Sequence, residues 1–74
     1  MTAAPQHRRV ETPLELPPLH PLRRLTAWRM CRDVFDRMSL KAEREGDEAT
    51  LRDFGEQASV CTHWINWLER RGVA

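Results

Sequence analysis

The chain has 74 residues, of which 41% are apolar and 31% charged, with a net charge of +1 and a pI of about 7.9. That length suits a single domain, and eleven acids against twelve bases exclude a polybasic nucleic-acid tail. Chains this short bury only about 60–65% of their unfolded surface, so small folds commonly lean on a disulfide, a metal or a second subunit. Eleven of the twelve bases are Arg, as a GC-rich genome produces without any special arginine chemistry.

All five prolines lie in the first 21 residues: Pro5, Pro13, Pro17, Pro18 and Pro21. Proline fixes φ and removes a backbone donor, so residues 1–19 cannot form a regular helix. Residues 1–11 read as disordered, and Met1 to Val10 lacks the apolar core of a signal peptide. From Thr12 to Leu19 leucine alternates with proline, which predicts an extended arm whose Leu14, Leu16 and Leu19 lie on something apolar.

Pro21, preceded by His20, is placed to open a helix, because the amide proton it lacks has no helical partner at that position. No proline or glycine follows until Glu45-Gly46-Asp47, where Gly46 suits a left-handed helix end and Asp47 the next N-cap. Thr50 with Asp53 offers an alternative cap. The first helix is therefore expected over residues 21–45. The second is expected over 48–71, ended by Gly72, with Arg70 and Arg71 complementing the negative end of its dipole. Each would be roughly 36 Å long. Gly55 falls inside the second helix. It costs about 1 kcal/mol against alanine, which close backbone packing near the loop would account for.

Leu51, Phe54, Ala58, Cys61, Ile65 and Leu68 recur at alternating spacings of three and four, as do Trp28, Cys31, Phe35, Met38 and Ala42. That is the pattern of two helices packed along a seam, and the short turn makes them antiparallel. With the turn centred on Gly46, residues at one level sum to twice 46, which is 92. Met38 then lies opposite Phe54, Cys31 opposite Cys61, and Trp28 opposite Trp64. The fold class is all-α: a two-helix hairpin over residues 20–72 carrying an extended Pro-rich arm over residues 1–19.

Apolar residues exceed what one seam buries. Ala27, Met30 and Val34 on the first helix, and Val60, Trp64 and Trp67 on the second, form further stripes that merge on one broad face. The other face, with Arg32, Ser39, Thr62 and Glu69, is polar apart from Leu25. A large exposed apolar patch marks an interaction surface. Three occupants fit it: a second copy making a four-helix bundle, the chain's own arm folded back, or a foreign protein.

The chemistry is otherwise bare. Cys31 and Cys61 at one level act as core residues when reduced and can pair under oxidation. Cys61 and His63 lack the second ligand pair of a structural zinc site, and residues two apart on a helix point to different sides. No phosphate loop, nucleophile elbow or zinc-protease motif occurs, and Asp33, Asp36, Asp53 and Glu56 have arginines within a turn. Neither an enzyme nor a cofactor is expected. No apolar run approaches the roughly 20 residues of a membrane span, so a cytoplasmic protein is expected. Arg23, Arg24, Arg70 and Arg71 gather at one end as a candidate anion patch, which keeps a nucleic-acid-associated regulator as an alternative. A structural subunit with its arm docked on a neighbour is another.

The Leu19-His20-Pro21-Leu22 helix start, the short turn and the heptad helix opening Leu51-Arg52-Asp53 together resemble small phage-encoded helical hairpins of host takeover, including anti-quorum-sensing ones. The resemblance covers residues 19–71 and has no counterpart for the arm. It implies a homodimer that inhibits a bacterial protein by occupying its working surface.

Overall fold

A computed structural model describes residues 12–74; the expectation for residues 1–11 lies outside them. Two long helices follow a short N-terminal lead: α1 over Leu25–Glu45 and α2 over Glu48–Arg70. They pack against each other as an antiparallel hairpin, and no strand occurs among the described residues.

The turn is built from the residues that announce it. Gly46 sits at φ 71°. The amide of Gly46 donates to Glu43 at 3.1 Å and that of Asp47 to Ala42 at 2.9 Å, so two carbonyls left over at the end of α1 are satisfied. The Asp47 carboxylate then accepts from the Thr50 amide at 3.1 Å and the Thr50 hydroxyl at 2.6 Å. Asp47 is therefore the cap of α2, and the Thr50–Asp53 alternative is not used. Gly72, at φ 72°, repeats the helix-end device: its amide donates to Glu69 and that of Val73 to Leu68. The chain then returns to α1, where the Leu25 amide donates to the Ala74 carbonyl at 3.0 Å.

The core is small and lies toward the chain ends. Leu25, Ile65 and Leu68 form its buried centre, with Trp28, Trp67 and Val73 packed around them. Cys61 and Ala42 are buried further along the seam. The rings of Phe35 and Phe54 meet with centroids 5.9 Å apart, although a sum of 92 would place Met38 opposite Phe54. Leu25 does not belong to the polar face: it is 7% exposed and central to the core. Ser39 is likewise half-buried, and its Oγ lies out of solvent without a hydrogen-bond partner among the described residues.

Two expectations fail at the N-terminal side. Pro21 opens only a single 3-10 turn, Pro21–Arg23. Arg24 then adopts extended angles (φ −107°, ψ 144°), and the α-helix begins at Leu25. The described part of the arm, residues 12–19, is not simply extended either. Pro13–Glu15 forms a 3-10 turn, and the His20 amide donates to the Pro17 carbonyl in a second turn. Paired prolines preset φ for turns as readily as for extended chain, and local acceptors decide between them. Gly55 has no neighbour within 4 Å of where a Cβ would stand, so close packing does not account for it.

Candidate functional site

The arm is held on the hairpin by specific bonds. Arg23 Nη1 donates to the carbonyls of Leu14 and Leu16, both at 2.9 Å. His20 Nδ1 accepts from the Leu22 amide at 3.1 Å, and Trp28 Nε1 donates to the Leu22 carbonyl at 2.6 Å. Glu15 accepts from the Thr12 amide at 2.8 Å. Thr12, Pro13, Leu16 and Leu22 then line a cleft of about 220 Å³ with Trp28 and Trp64. The two tryptophans that the turn geometry pairs thus share one pocket, floored by helices and roofed by the arm.

Of the arm contacts expected from sequence, Leu16 is half-buried and Leu14 lies near the surface. Leu19 is 92% exposed and does not rest on the hairpin. Pro13 is the buried arm residue, a position that reading leucines alone overlooks.

The two broad faces can be told apart. Arg29 on α1 bridges to Glu69 on α2 at 2.7 Å, which marks one face. At about 100° per residue, nine residues carry a side chain to the opposite side of its helix. Met38 is nine residues from Arg29, and Val60 nine from Glu69, so both lie on the other face. Val34 and Met30 continue from Met38 at spacings of four toward the outer edge of α1. Met30, Val34, Met38 and Val60 are 68%, 52%, 38% and 45% exposed. Ala27 is half-buried at the end of this stripe. Met38 is the member that heptad spacing assigns to the seam.

The tryptophans of the predicted contact surface are otherwise engaged. Trp64 stacks edge-on with Trp67 at 5.6 Å and with His63 at 4.6 Å. Trp67 packs on the core and carries the Arg71 guanidinium 4.1 Å above its ring. Both are half-buried within the chain itself. The anion patch is divided in the same way: Arg23 serves the arm and Arg71 the Trp67 ring, while Arg24 and Arg70 are exposed.

Cys31 and Cys61 are both free thiols. Burial pushes the Cys61 thiol above its ordinary range, and the nearby Cys31 adds to the rise. Such a thiol is protonated and inert near neutral pH. Among the described residues no three His, Cys, Asp or Glu side chains are grouped to hold a metal ion. No helix there is long and apolar enough to cross a membrane. No family model matches the chain, and neither a curated protein nor a solved structure was found to match it.

Proposed function

We propose that this chain is a small protein-binding module whose working surface is the uncovered strip of Met30, Val34, Met38 and Val60. One observation carries the reading: the strip is apolar and solvent-facing in a fold that buries only five hydrophobic residues among those described. A chain with so little core gains by covering such a strip, at about 25 cal/mol for each Å² of apolar area removed from water. The arm already occupies the Trp64 end of the face, so the partner meets α1 and the middle of α2. The module acts by steric occupancy, as an inhibitor or adaptor, and needs no covalent step. The phage-hairpin resemblance gives this its most specific form, inhibition of a bacterial cytosolic protein.

The test is site-specific photocrosslinking in the producing cell. A photoreactive residue at Val34 or Val60 is expected to give a discrete protein adduct. The control position is Leu40, which is 58% exposed. It lies two positions beyond Met38, about 200° away around α1, and so points off the strip. Absence of adducts from Val34 and Val60, or equal adducts from Leu40, overturns the reading.

A further inference from the structure

The structure assigns Cys31 and Cys61 to a redox pair, in which Cys31 is the entry thiol, Cys61 the resolving thiol, and the product a reversible disulfide that staples α1 to α2. The oxidant is a small soluble disulfide of the glutathione class. The bond does not depend on the binding-face reading above. Three observations carry it.

The first is position. Trp28 and Trp64 line one cleft at the arm end, and Ala42 and Leu51 line one recess at the turn. Cys31 lies three residues from Trp28, and Cys61 three from Trp64. Toward the turn, Cys31 lies eleven residues from Ala42, and Cys61 ten from Leu51. Both counts put the two cysteines at one level of the seam, to within one residue or about 1.5 Å of helical rise. The contact of the Phe35 and Phe54 rings keeps the helices together on the turn side of them. Two small side chains facing each other let helix axes approach to the near end of the usual range, about 8 Å, and a disulfide needs such closeness.

The second is access. Cys61 is 2% exposed, whereas Cys31 is half-buried, so a soluble oxidant meets Cys31 first. Cys61 senses Cys31 as a nearby charge, and burial keeps its own thiol protonated. It is a poor first nucleophile and reacts only with a target held beside it. Cys31 gives its proton to water and its thiolate attacks one sulfur of the oxidant. A mixed disulfide forms, the oxidant's S–S bond breaks, and one thiolate leaves and takes up a proton. Cys61 then loses its proton in the same way and attacks Cys31 Sγ, displacing the second thiolate, which is protonated in turn. Two cysteine thiols have lost two electrons and the small disulfide has gained them.

The third is need. Leu25, Ile65 and Leu68 form a small core at the arm end, and Cys61 and Ala42 are the other buried apolar residues among those described. A bond that closes the loop of residues 32–60 removes freedom from the unfolded chain, which a fold with so little core lacks other means to do. In a reducing compartment both thiols stay free, and the staple forms when disulfide oxidant accumulates. Met30 and Val60 adjoin the two cysteines in sequence, so the staple fixes the two sides of the strip relative to each other. Only this consequence rests on the binding-face reading.

The test equilibrates the full chain with oxidised glutathione at about 5 μM, far below the effective concentration of two groups within one chain, and quenches with acid. The expected product has the single-chain mass less two hydrogen atoms, and a non-reducing peptide map that joins Cys31 to Cys61. Its melting midpoint should rise by about 10 °C or more and return when a reducing thiol is added. Cys61→Ala should stop at a glutathione adduct on Cys31, and Cys31→Ala should leave Cys61 unmodified over the same time. In the native chain, no reaction, a lasting adduct on Cys31, bonds formed only between chains, or a bond that lowers the melting midpoint would each overturn the pair. Modification of Cys61 in Cys31→Ala as fast as the native reaction would overturn the assigned roles.

Discussion

The indole of Trp28 donates to the carbonyl of Leu22 at 2.6 Å, and this bond ties the Pro21–Arg23 turn to the first turn of α1. Leu22 is held from both sides, because its amide donates to His20 Nδ1. The chain therefore cannot run straight from Pro21 into the helix. The Leu22 carbonyl is turned toward the indole, and Arg24 is left extended. Arg23, on the turn between them, reaches back to Leu14 and Leu16. The arm is latched by side chains of the segment that links it to the hairpin.

Arg23→Met keeps the aliphatic stem and removes both donors. With each bond worth about 1 kcal/mol net, less where solvent competes, the arm should open while the helices stay formed. Tryptophan emission is expected to shift to the red as Trp28 and Trp64 are wetted, and proteolysis between Thr12 and Leu19 should accelerate. Unchanged emission and unchanged cleavage would show that Arg23 does not hold the arm.

Gly55 offers a stabilising substitution. It has no positive φ, and a Cβ there meets nothing within 4 Å. Gly55→Ala should raise stability by about 1 kcal/mol through helix propensity alone. Gly46→Ala should do the reverse, because φ 71° costs an L-residue about 1–2 kcal/mol. Thermal melts of the two variants should move in opposite directions, and a fall for Gly55→Ala would reveal a contact that its open surroundings do not suggest.

The hairpin is legible from local chemistry because each device occupies adjacent residues. Gly46 and Asp47 declare the turn, and the spacing from Leu51 to Leu68 declares the seam. What escapes such reading depends on contacts between distant segments. Leu25 sits apart from the heptad positions of α1, yet Ile65 and Leu68 bury it and the returning Ala74 caps its amide. The arm's path depends on Arg23 and Trp28 finding backbone carbonyls six to nine residues away, which no periodicity encodes. Trp64 and Trp67 stand out by size and spacing, and they also pack within the chain: each is half-buried, and the two stack edge-on. Periodicity reveals that the apolar face is in surplus. Which part of it stays uncovered, namely Met30, Val34, Met38 and Val60, depends on where the arm folds and how the tryptophans stack.

Ser39 lies on the face that spacing marks as polar. Its hydroxyl is nonetheless out of solvent and has no partner among the described residues, so it carries part of a desolvation cost of about 1–3 kcal/mol. Ser39→Ala removes that cost and improves helix propensity. It should stabilise the hairpin by up to about 1 kcal/mol in denaturant titration. A clear loss of stability would mean that the hydroxyl is hydrogen-bonded in solution.

Asp47 makes the turn sensitive to acid. Hydrogen bonds from the Thr50 hydroxyl, then from the Thr50 amide, hold its carboxyl below the ordinary value of 3.8. The folded chain thus binds this proton less readily than the unfolded chain. The resulting stabilisation is present above pH 3.8 and is lost as pH falls through the lower, folded value. Asp47→Asn keeps an acceptor at the cap but cannot ionise. Its melting temperature should lie below that of the native chain at neutral pH, and the gap should close as the solution is acidified below 3.8. Melts of both proteins across that range check the sign: a gap that widens in acid would mean that the charged carboxylate does not stabilise the start of α2.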